Sequence, residues 1–169
     1  MARNNQGIAT ADAEALLYLE ARLLDTLQLD EWLTLFTDEG VYWIPIDETQ
    51  PRTKSASIVY DDALGRQERV HHLLHLPFAA QNPRSRTVHV IGNVEVESKG
   101  SGSATVRSNQ VIYETRLGDF TQRGLGQLST VVASVEHQLK LTDSGLKISL
   151  KKILLINREM PQGNLTYML

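Results

Sequence analysis

The segment from Leu29 to Pro45 constrains the fold most, because it passes within a few residues from a helix-forming pattern to a strand-forming one. Asp30 is predicted to cap a short helix, since its carboxylate can accept hydrogen bonds from the free backbone N–H groups of a first helical turn. Large apolar side chains then recur at helical spacing and share one face. These side chains are Trp32, Leu35 and Phe36.

The second half of this segment predicts a strand. Gly40 is predicted to end the helix, because glycine tolerates the left-handed conformation that a helix exit often needs. Residues 41–44 are β-branched or aromatic and favour a strand, and Pro45 ends it because proline has no N–H to donate. The segment therefore marks the corner at which a helical part of the chain gives way to a sheet.

Two longer helices are predicted around this corner. The first covers about residues 11–27, is capped by Thr10 and has a buried stripe. The stripe consists of Ala13, Leu16, Leu17, Leu24 and Leu27. The second covers about residues 61–76, ends before Pro77 and turns three apolar residues inward, namely Val70, Leu73 and Leu74. Residues 1–9 are predicted to form a loose arm, and residues 46–57 a loop.

The rest of the chain predicts long strands. Apolar residues alternate with polar ones over 88–96 and over 131–141, and residues 142–145 form a hairpin turn that leads into a last strand. Residues 118–126 contain three glycines and predict a flexible loop. Helices followed by long antiparallel strands predict an α+β fold, with a strongly curved sheet wrapped around the helices like a cone.

Three interruptions of the alternation predict irregular strands. Gly92 stands in the apolar register of its strand and predicts a bulge or a bend. Val106 and Val111 have opposite parity, which predicts a second bulge between them. The pair Lys151–Lys152 shifts the phase of the last strand. Such irregularities are typical of a sheet that curves.

Composition excludes several classes of function. The chain has 169 residues, which fit a single domain, and a net charge of −3, which argues against general binding to nucleic acid or anionic membranes. It has no cysteine, so disulfides, zinc–thiolate sites, iron–sulfur ligation and thiol catalysis are excluded. The polar N-terminus contains no apolar stretch that would predict a signal peptide or a membrane span. Together these features fit a cytoplasmic protein.

Histidines on the second long helix suggest a metal site as one hypothesis. His71 and His75 are separated by one helical turn, as are Glu68 and His72. Two histidines and a carboxylate can bind non-haem iron or zinc. The pattern is not H-E-x-x-H, however, and a third ligand must come from another face or element. The competing interpretation places these residues on the polar face of the helix, where the histidine at its end suits the helix dipole.

An acid–base site is a second hypothesis, because cones of this type often enclose a pocket. Isomerase or dehydratase chemistry needs an ionisable base in an apolar cavity and a donor for the developing oxyanion. The candidates are Tyr18, Tyr42, His89 and His137. No spacing singles out a base, and each candidate is equally well explained as a core-edge or strand residue. The sequence also has no dinucleotide fingerprint, P-loop or nucleophile elbow.

Residues 82–87, with the sequence Asn-Pro-Arg-Ser-Arg-Thr, form the second informative motif. Followed by residues 89–96, they resemble the signature D-P-x-S-R-T-R-x-x-x-N-V of the small, or beta, subunit of aromatic-ring-hydroxylating dioxygenases. The segment 24–45 is similar to that family's run of aromatic residues ending in W-x-P. Residues 58–70 resemble its Y-D-D … R-V segment, and residues 145–157 resemble its closing hairpin. Asn82 and His89 depart from the pattern, which usually has Asp and Arg there.

This resemblance implies a nuclear-transport-factor-2-like (cystatin-like) cone and a role as a non-catalytic, structural subunit. It implies a hexamer of three large and three small subunits, in which the large subunit carries a Rieske [2Fe–2S] cluster and a mononuclear iron. The absence of cysteine agrees, since a Rieske centre needs two cysteines and two histidines.

No catalytic, cofactor or metal site is then expected in this chain. The candidates for a role in the fold or in an interface are Trp32, Tyr42, Trp43, Arg84, Ser85, Arg86 and Thr87. A stand-alone small-molecule isomerase or dehydratase of the same fold is the alternative.

Overall fold

The computed structural model describes residues 7–51, 54, 56–77, 79–100, 102–119, 121, 124–161 and 165–169. The helices are α1 (Thr10–Asp25), α2 (Leu29–Leu33) and α3 (Ala63–His75), with a 3₁₀ turn at Ala79–Gln81. The strands are β1 (Phe36–Pro45), β2 (Ser57–Asp61), β3 (Ser85–Gly100), β4 (Ser103–Arg116), β5 (Leu128–Thr142) and β6 (Gly145–Leu155). Residues 1–6 of the predicted arm and residues 120, 122 and 123 of the predicted 118–126 loop lie outside the described residues.

The six strands form one sheet in the order β2-β1-β6-β5-β4-β3. Only the β1–β6 pair is parallel, and the other neighbouring pairs are antiparallel. One face of the sheet packs with all three helices into the main apolar core. The α+β prediction, with a curved and mostly antiparallel sheet around the N-terminal helices, is therefore confirmed. No helix in the described ranges is long and apolar enough to span a membrane.

The corner segment is helical and then extended, as predicted, but its boundaries differ. Gln28, not Asp30, occupies the N-cap position of α2, and no side chain caps the helix. The prediction for Asp30 is wrong because the helix begins two residues earlier than its capping role requires. Trp32, Leu35 and Phe36 are all buried, as their apolar character predicts. They do not share one helical face, because α2 ends at Leu33 and Phe36 already belongs to β1.

Gly40 lies inside β1 and does not end a helix, because the strand already begins at Phe36. A Cβ atom at this position would lie 2.9 Å from the backbone oxygen of Ile148 in β6 and 3.0 Å from that of Thr37. Glycine is therefore needed here for the close approach of two strands, where the register of β1 on β6 shifts. Pro45 ends the strand as predicted.

The first long helix is confirmed, but its predicted cap is not. Ala9 takes the N-cap position of α1 without a side-chain hydrogen bond, because Thr10 is already the first helical residue. The predicted stripe is buried except for Leu27, which lies past the helix end with a φ of 55° and is half-buried. In α3, Asp62 is the cap, and its carboxylate accepts a hydrogen bond from the Gly65 N–H at 2.9 Å.

The bulge predicted at Gly92 is present in β3, where one extra residue shifts the pairing with β4 between Gly92 and Glu95. The bulge also changes which residues of β3 face the helices. Before the bulge His89 and Ile91 turn toward the helices, whereas Val88 and Val90 are exposed on the outer face. The predicted common face for the valines of this strand is therefore wrong, because the bulge exchanges the two faces.

The second predicted bulge, in β4, does not exist. The pairing of β4 with β5 is continuous from Ser103 to Thr115. Every second residue of β4 still faces inward beyond Val106, although several of these residues are polar. The buried polar residues are Ser108, Gln110 and Glu114. Val111 and Tyr113 consequently face outward. A phase shift in β6 is present, at Ser149 rather than at the lysine pair, and it turns Lys151 inward.

Candidate functional site

A buried charged cluster lies inside the cone. The Glu20 carboxylate of α1 accepts hydrogen bonds from Lys151 Nζ at 3.0 Å, from His137 Nε2 at 2.9 Å and from Trp32 Nε1 at 3.1 Å. All four side chains are almost fully buried. Because a carboxylate only accepts hydrogen bonds, His137 donates through Nε2.

The pKa values in this cluster follow from burial and pairing. Burial tends to raise the pKa of Glu20, but the charges of Lys151 and His137 and their hydrogen bonds outweigh it and hold this pKa well below its usual range. Burial lowers the pKa of Lys151, and the attraction of Glu20 opposes that shift only in part. Burial raises the pKa of Tyr42, which stays a neutral phenol. The cluster is therefore an internally compensated ion pair.

The segment 165–169 lies against this cluster and closes the cone. Lys151 Nζ donates to the backbone oxygen of Leu169 at 2.8 Å, and the Tyr42 hydroxyl donates to the same oxygen at 3.3 Å. Met168 and Leu169 are buried within the main core. A cavity beside Met168, which is also lined by Leu24 and Leu29, has a volume of about 20 Å³. A pocket of that size holds no more than about one water molecule.

A polar network joins the 82–87 motif to the mouth of the cone. The Ser85 hydroxyl donates to one oxygen of the buried Glu114 carboxylate at 2.7 Å, and the Ser129 hydroxyl donates to the other at 2.6 Å. Gln81 accepts from the Ser85 N–H at 2.9 Å and donates through Nε2 to the Thr166 hydroxyl at 2.6 Å. Ser85 thus ties β3 to β4 and, through Gln81, to the segment that closes the cone.

Thr87 holds the end of α1 against β3. The Asp25 carboxylate accepts hydrogen bonds from the Thr87 hydroxyl at 2.9 Å, from the His89 backbone N–H at 3.1 Å and from His89 Nδ1 at 2.6 Å. Burial tends to raise the pKa of Asp25, but the bonds from His89 and Thr87 outweigh it and lower this pKa. The His89 side chain is only 1% exposed, so it is a buried partner of Asp25.

The two arginines of the motif lie at the surface. Arg84 donates to the Leu74 carbonyl at 3.1 Å, at the end of α3, and Arg86 is exposed on the outer face of β3. Trp43 lies on the outer face of the sheet, where it forms a small cluster with Val41 and Leu150 and donates to the Ser57 hydroxyl at 2.8 Å.

The residues proposed for metal binding do not form a complete site. The rings of His71 and His75 are 5.1 Å apart on the exposed face of α3. Within the described ranges, no group of three or more histidine, cysteine, aspartate or glutamate side chains is arranged to hold a metal ion. With no cysteine in the chain, the residues do not fit a Rieske cluster either.

The four acid–base candidates are not brought together. Tyr42 and His137 reach the buried cluster, whereas Tyr18 is 49% exposed and His89 is bound to Asp25 near the end of α1. Sequence reasoning missed Glu20 and Lys151. Glu20 continues the buried stripe of α1, three residues after Leu17. Lys151 follows the phase shift at Ser149 and lies on the same inward face of β6 as Ile153. A charge in an apolar position was the available signal in both cases.

The fold is the cone of the nuclear-transport-factor-2-like class. An NTF2-like protein with a cystatin-like fold from Novosphingobium aromaticivorans superimposes with a TM-score of 0.59 at 15% identity, covering 87% of this chain and 81% of that one. The crystal structure of the beta subunit of benzoate 1,2-dioxygenase from Burkholderia mallei has a TM-score of 0.73 at 26% identity and covers 96% and 99% of the two chains.

Sequence comparison narrows this class to one family. The family described as "Ring hydroxylating beta subunit" matches residues 19–162. The small oxygenase component of the p-cumate 2,3-dioxygenase system from Pseudomonas putida is 34% identical over 167 residues, which cover 96% of this chain and 88% of that protein. The chain belongs to the family of ring-hydroxylating beta subunits. It is a small subunit of the oxygenase component of an aromatic-ring dioxygenase, and the beta subunit is the non-catalytic part of these oxidoreductases.

Proposed function

We propose that this chain forms a hexamer with its large subunit, three copies of each, and that the large subunit holds the Rieske cluster and the mononuclear iron. The observation that carries this proposal is an apolar surface on the outer face of the sheet, opposite the helices. Such a surface is typical of an interface, since monomeric proteins rarely expose large contiguous apolar areas.

Three cross-strand rows build this surface, one residue from each of β3, β4 and β5. The first row is Val90–Val111–Val132, the second is Val88–Tyr113–Thr130 and the third is Arg86–Thr115–Leu128. Val88, Val90, Tyr113 and Leu128 are each at least 40% exposed. Arg86 lies at one corner, where an arginine can pair with carboxylates of a partner at the rim of an interface.

The seven candidate residues divide into two roles under this proposal. Buried side chains support the fold: these are Trp32, Tyr42, Trp43, Ser85 and Thr87, with Thr87 only half-buried. Arg84 and Arg86 are exposed and are proposed to contact the partner subunit. We also propose that residues 1–169 act as one domain in the cytoplasm.

The substrate of the oxygenase is proposed to be an aromatic carboxylate. Support comes from the p-cumate and benzoate dioxygenase subunits to which the chain is similar. The closed cone argues against the alternative of a stand-alone isomerase or dehydratase, since a cavity of about 20 Å³ admits no aromatic ring.

Co-expression with the matching large subunit tests the assembly. The two chains are expected to co-purify, with a mass by light scattering that fits three of each. The Val90→Asp substitution is expected to abolish the complex because it buries a charge in an apolar interface. Leu141→Asp is the matched control, since Leu141 is also exposed but lies outside the three rows.

Each result of this experiment has a distinct meaning. If the wild-type chain never co-purifies with the large subunit, the proposed function is wrong. If Val90→Asp assembles as well as Leu141→Asp, the interface lies elsewhere. If Val90→Asp changes only self-association of the small subunit, the surface binds another copy of this chain. Oxygen uptake with p-cumate and benzoate, compared with biphenyl, tests the substrate class.

A further inference from the structure

Residues 165–169 fill the interior of the cone without belonging to any helix or strand. Their removal from the cone would therefore break no strand pairing. Met168 is 5% exposed and Leu169 is 1% exposed, so both side chains are surrounded by the core. At the mouth the Gln81 side chain holds the Thr166 hydroxyl. The segment thus behaves geometrically as a ligand seated in a pocket.

The contacts to Leu169 are those of a recognition site for the carboxyl-side oxygen and the N–H of one amino-acid residue. The ammonium group of Lys151 and the hydroxyl of Tyr42 converge on one carbonyl oxygen, at 2.8 Å and 3.3 Å. The same hydroxyl accepts a hydrogen bond from the Leu169 N–H at 3.1 Å. A charge-assisted donor and a phenol on one oxygen fix its position, and the apolar core receives the branched side chain.

Both donors are held in place independently of this segment. Lys151 is bound by Glu20, which is itself bound by His137 and Trp32. The Tyr42 ring packs against that of Trp32, with centroids 5.8 Å apart. The two donors therefore remain preorganised when the oxygen that they bind belongs to another molecule.

We propose that the cone interior is a binding site for small N-acylated amino acids with a branched apolar side chain, and that residues 165–169 are its built-in competitor. The segment keeps the site closed, and a ligand of this class binds when the segment leaves. This site is separate from the outer surface proposed to bind the large subunit, so either proposal can fail without the other.

Thiol labelling tests the proposal in the full chain, because the sequence has no cysteine of its own. The Met168→Cys substitution places one buried thiol on the segment, and Ala133→Cys places one in β5 as a matched control that reports global unfolding. The probe is N-acetyl-L-leucine, which has the N–H and the side chain of Leu169 and presents a carboxylate oxygen in place of the Leu169 backbone oxygen. N-acetyl-D-leucine and N-acetylglycine are the control compounds.

N-acetyl-L-leucine is expected to accelerate labelling at position 168. A ligand that binds only the open form raises the open population in proportion to ligand concentration over Kd, so about ten times Kd gives roughly a tenfold faster rate. Labelling at position 133 is expected to stay unchanged. Adding Tyr42→Phe to Met168→Cys is expected to weaken the effect of the ligand, because one donor to the oxygen is lost.

Three results would overturn the proposal. In the first, N-acetyl-L-leucine leaves the rate at position 168 unchanged. In the second, positions 168 and 133 are labelled at one common rate, which would mean that the segment leaves only when the whole protein unfolds. In the third, the D-enantiomer or N-acetylglycine accelerates labelling equally, which would mean that the pocket does not recognise the acylated L-residue.

Discussion

Replacement of Lys151 by methionine is expected to lower the free energy of unfolding by about 3–5 kcal/mol, because it leaves the Glu20 carboxylate buried without its cation. Lys151 Nζ lies 3.0 Å from Glu20 Oε1, and both side chains are 1% exposed, so water cannot take the place of the ammonium group. Methionine is similar in length and has no charge, which keeps the change in packing small. His137 and Trp32 still donate to Glu20, which favours the lower end of this range.

The Glu20→Gln substitution provides the second edge of a double-mutant cycle. Alone, it leaves Lys151 charged and buried, and we expect a loss of about 3 kcal/mol. The double variant Glu20→Gln/Lys151→Met buries no unpaired charge at these positions. It is therefore expected to be more stable than the sum of the two single losses predicts, by about 2 kcal/mol.

Urea unfolding followed by circular dichroism measures these losses. The exposed Lys140 of β5 offers the control Lys140→Met, which is expected to change stability by less than about 0.5 kcal/mol. In the Lys151→Met variant, Lys151 no longer lowers the pKa of Glu20, so burial raises this pKa above its wild-type value. Its carboxyl group then takes up a proton as the pH falls, so the loss relative to wild type is expected to be smaller near pH 5 than near pH 7. A loss below about 1 kcal/mol, or strictly additive single losses, would refute the buried ion pair.

Trp32→Ala is expected to cost about 3–5 kcal/mol in thermal or urea unfolding, because Trp32 is fully buried; a loss below about 1 kcal/mol would contradict its central position. Gly40→Ala is expected to cost about 1–3 kcal/mol, since its Cβ would lie 2.9 Å from a backbone oxygen of β6. Gly92→Ala, with nothing within 4 Å of a Cβ, is the control, and equal losses would disprove the steric argument. The lowered pKa of Asp25 stabilises the fold above the ordinary aspartate pKa of about 4, and this contribution is lost as the pH falls through the lowered value. The stability gap between wild type and Asp25→Asn should therefore shrink in acid, and a constant gap would exclude this linkage.

Local patterns predicted the elements of this fold well. The alternation of apolar residues located the long strands, and the glycine in the apolar register of β3 located its bulge, because both signals depend on the immediate sequence. The helix-to-strand corner and the 82–87 motif were sufficient to identify the family, which the comparisons confirm. What failed were the details of helix capping and strand phase. Thr10 and Asp30 have the side chains of caps, but α1 begins one residue too early to use Thr10, and α2 begins two residues too early to use Asp30.

The inward-facing polar residues of β4 show why the orientation of side chains along a strand is harder to predict than the presence of the strand. The opposite parity of Val106 and Val111 predicted a bulge between them. The structure has none, and Ser108, Gln110 and Glu114 face inward instead. Glu114 is satisfied by hydroxyl groups of Ser85 and Ser129, which belong to other strands. A polar residue can face inward when distant residues supply its hydrogen bonds, and a local pattern contains no information on those partners.

By itself, the sequence determined the fold class, the family and the exclusion of cysteine-based chemistry from this chain, because composition and short-range periodicity are local properties. Only the tertiary structure decided that Glu20, His137 and Lys151, from three separate elements, meet in one buried cluster and that residues 165–169 close the cone above it. It also decided that the apolar rows of β3, β4 and β5 lie on the outer face of the sheet. The free energy of a buried ion pair and the chemistry of a surface depend on which residues, distant in sequence, become neighbours. Only the tertiary fold determines these neighbours.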